Sequence, residues 1–125
     1  MTTASDSSAA VPPTPQPAST PEDLRAALSL VAPRALPTFD AERAVALQEA
    51  RKQVSAAPMR RFVGQWALYV AVERHADRAA RLRVLEARAA ETDDLTEARA
   101  IAAEIGSIID TAVAEAGIQR GQSAL

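Results

Sequence analysis

The chain has 125 residues, 48% of them hydrophobic but only 3% aromatic, with no cysteine and a formal net charge of -2. The lack of cysteine excludes disulfides, thiolate chemistry and cysteine-bound metal, and it suits a reducing cytoplasm. The opening MTTASDSSAA has neither the basic nor the apolar stretch of a signal peptide, and no apolar run approaches the ~20 residues of a membrane span.

Residues 1–19 are mostly Thr, Ser, Ala and Pro. They offer little to bury and read as a disordered, solvated leader, in which Pro12, Pro13, Pro15 and Pro17 favour extended conformations. Thr20 then suits an N-cap, Pro21 the first helical position, and Glu22 and Asp23 the first turn, where the helix dipole favours acids. Leu24, Ala27, Leu28 and Val31 are the buried stripe of this helix, and Pro33 ends it. Thr38 is placed to cap a second helix over 39–54 that buries Phe39, Ala46, Leu47, Ala50 and Val54 and leaves Glu42, Glu49 and Lys52 in water.

The stretch PMRRFVGQWALYVAVERH predicts a central helix over 58–75. Met59, Phe62, Val63, Trp66 and Val70 recur at three- and four-residue steps, and Ala67, Leu68, Ala71 and Val72 fill the other faces. A helix apolar nearly all round belongs in a core. The β-branched Val63, Val70 and Val72 also suit a buried strand, but the length and Pro58 favour helix. Gly64 costs about 1 kcal/mol in a helix interior, an expense that close approach of a neighbouring helix would offset.

Beyond His75, a single helix over 58–90 would run ~50 Å at 1.5 Å per residue, long for so small a domain. A break near Ala76 is therefore expected, with Asp77 capping a new helix that turns Leu82, Leu85 and Ala89 inward. Thr92, Asp93 and Asp94 make a turn. Asp94 caps the last helix, with Glu97 at the third position in a capping-box-like pattern. Leu95, Ala98, Ile101, Ala102, Ile105, Ile108, Ile109, Ala112 and Val113 are its apolar face, and Gly117 is its stop. Residues 118–125 should fray. The expectation is an all-α bundle of four to five helices over 20–117, behind the leader.

Charge is uneven. From Arg60 to Arg88, seven arginines face three acids, a net +4, and from Glu91 onward seven acids face Arg99 and Arg120, a net -5. Folding the chain back at Thr92/Asp93 sets Arg88 opposite Glu97 and Arg81 opposite Glu104, so one antiparallel register serves both pairs. Exposed pairs of this kind select register more than they stabilise.

No chemistry is spelled out. Ser29, Ser55, Ser107 and Ser123 lie in no nucleophile motif. His75 is the single imidazole and is better explained by a helix C-terminus than as a metal ligand. Gly64, Gly106, Gly117 and Gly121 are isolated, so no phosphate loop exists. No catalytic, metal or cofactor residue is expected, and the chain does not read as an enzyme. Arg60 and Arg61 open the central helix in a geometry reminiscent of helix-turn-helix proteins, yet the residues after them are apolar rather than base-reading. Arg60, Arg61, Tyr69 and Arg78 are the candidate contacts to a partner or an anion.

The runs Leu36-Pro37-Thr38-Phe39 and Ala57-Pro58-Met59-Arg60-Arg61-Phe62, with Trp66 and Glu73-Arg74-His75, resemble a family of small uncharacterised all-helical proteins from high-GC bacteria. The resemblance covers about Leu24 to Leu82. Many members resemble the antitoxin half of toxin–antitoxin pairs, in which a helix with Pro and Trp spaced as Pro58 and Trp66 follows an Ala/Glu-rich one; the present chain adds the region 77–117. The likeness implies a protein-binding role and carries over no catalytic residue. The function expected is a cytoplasmic, non-catalytic interaction or regulatory module, antitoxin-like, with a protein partner or a second copy. The alternatives are a small DNA-binding regulator and a self-associating structural protein.

Overall fold

Five α-helices and no strand make up residues 12–117, which the computed structural model describes. Helix α1 is Pro21–Val31. Thr20 stays extended before it, and its Oγ1 accepts from the Asp23 N–H at 3.1 Å. A 3-10 turn over Pro33–Ala35 leads directly into α2, Leu36–Gln53. Thr38 therefore lies inside α2 and does not cap it; the turn continues into the helix, and Pro37 falls in its first turn, where a missing N–H leaves nothing unpaired.

Helix α2 ends on Val54 in the left-handed region, at φ 49 and ψ 52, and the Ser55 N–H closes back on the Ala50 carbonyl at 3.0 Å. This is the geometry that glycine usually supplies. It turns Val54, expected in the core, outward to 91% exposure.

Helix α3, Ala57–Glu73, is the central one, and it packs against each of the other four. The expected break falls at Arg74 and His75, and α4 is Ala76–Glu91. His75 takes the extended N-cap conformation, while Asp77, expected as the cap, lies in the first turn. Helix α5 is Leu95–Ala116, capped by Asp94 through a 3.0 Å bond from the Thr96 N–H. The capping box is not closed. Glu97 receives Thr92 Oγ1 and Arg88 Nη2, each at 2.7 Å, and the Asp94 N–H donates to Thr92 Oγ1 instead. Gly117 ends α5 at φ 72.

The core forms where α1, α2, α4 and α5 close around α3. Leu24, Leu28, Phe39, Val70, Ala71 and Ala112 are fully buried. Ring centre to ring centre, Phe39 sits 5.0 Å from Phe62, the rings tilted at 52°, and 5.2 Å from Trp66, edge to face as the ring quadrupoles prefer. Small residues on α3 and α5 (Ala67, Ala71, Ala112, Ala116) let these helices approach closely. Farther along the α4–α5 hairpin, Leu85 and Ile101 are buried, but Ala89, Leu95 and Ala102, expected inward, are exposed. No third helix reaches that end to cover them. Gly64 also departs from expectation: a Cβ built on it meets nothing within 4 Å, so no helix among the described residues uses the space.

Residues 12–19, expected in the solvated leader, are mostly exposed but lie against α3. They form an extended strap along α3. Arg74 Nη1 donates to the Thr14 carbonyl at 3.0 Å, and Gln16 Nε2 donates to the Ala67 carbonyl at 3.1 Å. Hydrogen bonds hold it rather than apolar burial, which is why hydropathy gave no sign of it. Residues 1–11 of the expected leader, and the expected frayed tail 118–125, lie outside the described residues.

Candidate interaction surfaces

Trp66 faces inward and is 5% exposed. Its indole N–H donates to Glu42 Oε1 at 3.0 Å, so Glu42, expected in water, is the half-buried acceptor that fixes the ring. Tyr69 follows on α3, its ring edge-on to the indole at 5.1 Å. Burial, with the Glu73 carboxylate nearby, raises its phenol pKa above the ordinary range.

These rings form one wall of a cleft of about 420 Å³ between α3 and α4, with Ile109 of α5 in its lining. Leu68, Val72, Ala79 and Leu82 supply most of the remaining apolar surface. Arg83 and Glu73 pair at the rim at 2.8 Å, and Glu86 stands beside them with no ion pair among the described residues. Tyr69 is the one candidate contact that lines the cleft; Leu82 and Ile109, expected inward, are half-buried, and Leu82 packs against the core as well as lining the cleft. They lie where α4 leans on α5 more than on α3, an angle that helical periodicity does not encode.

Arg78 is not at the surface. It donates to the Ala71 carbonyl at 2.8 Å and to both oxygens of Glu115 at 2.9 Å, and Arg74 reaches the same carboxylate at 2.6 Å. The Arg78 hydrogen bonds, its charge and then those of Arg74 pull the Glu115 pKa down to about 2. His75 Nε2 is 3.4 Å from Glu115 Oε1. The group is a junction that ties α5 to the end of α3 and, through Arg74, to the strap.

Arg60 and Arg61 are exposed and make no ion pair among the described residues. They diverge around α3: Arg60 borders a trough with Gly64 and Ala116, and Arg61 borders a concavity shared with α2. With Gln65 they are the only exposed residues of α3.

The expected hairpin register is present, with Arg88–Glu97 at 2.7 Å and Arg81–Glu104 at 2.6 Å. Two pairs not foreseen, Arg25–Asp40 and Arg43–Glu22, both at 2.7 Å, fix α1 against α2 in the same manner. Among the described residues no group of three or more His, Asp or Glu could hold a metal ion, and no helix is long and apolar enough to cross a membrane.

The model of the family of unknown function DUF6247 matches residues 12–111, from the first residue of the strap to near the end of α5. No curated protein and no solved structure matches the chain.

Proposed function

The chain belongs to that family, and on that premise we propose that it is a non-catalytic interaction module which docks a protein partner in the cleft between α3 and α4, as an antitoxin docks its toxin. The observation that carries the reading is the cleft itself. Five helices leave an apolar recess walled by Trp66 and Tyr69 and lined by Leu82 and Ile109, where a further element would bury surface that the described residues leave open. Its size suits one or two apolar side chains from an amphipathic helix. Glu86 at the rim favours a cation beside that apolar stripe, which fits a basic partner for a chain of net charge -2.

The antitoxin element rests on the spacing of Pro58 and Trp66 and on the Ala/Glu-rich α2 before them. A cysteine-free chain suits action in a bacterial cytoplasm.

The test is co-expression with the reading frame next to its gene. If that frame arrests growth, the full chain restores it, and Leu82→Arg, checked for folding by circular dichroism, fails to. A neighbour that neither arrests growth nor forms a complex overturns the antitoxin reading. Equal activity of Leu82→Arg overturns the cleft.

A further inference from the structure

Arginine is abundant in this protein, but most of it is spent internally. Arg25, Arg43, Arg74, Arg78, Arg81, Arg83 and Arg88 each pair with a carboxylate. Arg34, Arg51, Lys52, Arg60, Arg61 and Arg99 do not, among the described residues. Four of these six fall between positions 51 and 61, where the last turn of α2 meets the first turns of α3. The sequence holds no acid between Glu49 and Glu73. Arg51, Lys52, Arg60 and Arg61 are all exposed, and between them Val54 is held outward at the tip of the corner. Glu42 and Glu49 of α2 border the same concavity as Arg61 and keep their charge, since their donors, Trp66 Nε1 and Gln53 Nε2, are neutral; neither forms an ion pair with Arg61 among the described residues.

From this we infer that the α2–α3 corner is a contact site for the phosphate backbone of a nucleic acid, bound without regard to sequence. Concentrating +4 in eleven residues of a chain that is -2 overall makes a local attraction for a polyanion that net charge conceals. Three of the four cations are arginines, whose planar forks match phosphate oxygens two at a time. Arg60 and Arg61 border different concavities of α3, so they do not form one face that could enter a groove, and the contact is to phosphates. An anionic membrane fits less well, since the corner exposes one large apolar side chain, Val54, and membrane docking draws on a broad apolar face as well as charge. The site lies toward the opposite end of α3 from the Arg74–Glu115 junction, on residues other than those lining the partner cleft, so the two surfaces are separable.

The experiment is fluorescence anisotropy of the full chain with a labelled 20-base-pair duplex of arbitrary sequence, from 20 to 200 mM salt. Binding in the range of non-specific affinities is expected, the same for two unrelated sequences. The slope of log K against log salt should be about -3 to -4, as about four phosphate contacts require. Arg60→Gln and Arg61→Gln should each reduce that slope by about one. All four substitutions together should abolish binding, while Leu82→Arg in the cleft leaves it unchanged. No binding at 20 mM salt overturns the inference, as does binding that survives the fourfold substitution. Tighter binding to vesicles containing phosphatidylserine than to the duplex overturns it in favour of a membrane surface.

Discussion

The indole N–H of Trp66 donates to Glu42 Oε1 at 3.0 Å and so joins the centre of α3 to α2. The ring is 5% exposed, so water has little access to replace that bond. A buried donor left without an acceptor costs about 1–3 kcal/mol. Glu42→Ala should therefore lower stability by about that amount in urea melts followed by circular dichroism, and Glu42→Gln, which keeps an acceptor, by less. In a Trp66→Phe background the donor is gone, and Glu42→Ala should then cost little, which isolates the pair from the packing around it.

Val54 holds a left-handed conformation at φ 49 with its side chain 91% exposed. That conformation costs an L-residue about 1–2 kcal/mol, and burial returns nothing here. Val54→Gly should raise stability. The greater freedom of glycine in the unfolded chain takes back part of the gain, leaving about 0.5–1 kcal/mol, a rise of a few degrees in Tm by calorimetry.

Gly64→Ala should also stabilise, by about 0.5–1 kcal/mol, because the site is helical and a Cβ there meets nothing within 4 Å. A loss of stability would mean that the trough beside Ala116 is narrower in solution than the structure has it.

The Glu115 carboxylate, lowered from an ordinary 4.5 to about 2 by Arg78 and Arg74, links this junction to pH. The unfolded chain takes up the proton first as pH falls. The stabilisation is thus complete above pH 4.5 and is lost between there and about 2. At 29% exposure water screens part of the effect, which leaves about 1–2 kcal/mol. Glu115→Gln should lower stability by that amount at pH 7 and flatten the acid limb of the stability curve. Digestion by proteinase K should cut within residues 12–19 faster, because Arg74 carries both the carboxylate and the Thr14 carbonyl.

The helices were legible because their signals are local. Thr20 and Asp94 are side-chain caps, Gly117 is a stop, and the period through Phe62, Trp66 and Val70 marks a buried face. The α4–α5 register was legible because Arg81, Arg88, Glu97 and Glu104 share one spacing. What escaped depends on partners far along the chain. Glu42 looks like any surface acid until Trp66 arrives from 24 positions away. The strap depends on bonds spanning 51 and 60 positions, made by Gln16 to a main-chain carbonyl and by Arg74 to another. Val54 belongs to the apolar period of α2, but the tight turn there overrides the period. The cleft was half legible. Tyr69 stood out as the lone tyrosine, but its neighbours Leu82 and Ile109 read as core, since only the angle between α3 and α4 decides whether that face is covered.

The recess beside Tyr69 is the proposed docking site. Its most direct test is hydrogen exchange on the full chain, free and in complex with the product of the adjacent reading frame. Slowed exchange confined to α3 around Leu68–Glu73 and to α4 around Ala79–Glu86 is the predicted result. Unchanged exchange in both segments, with protection elsewhere or nowhere, would contradict it.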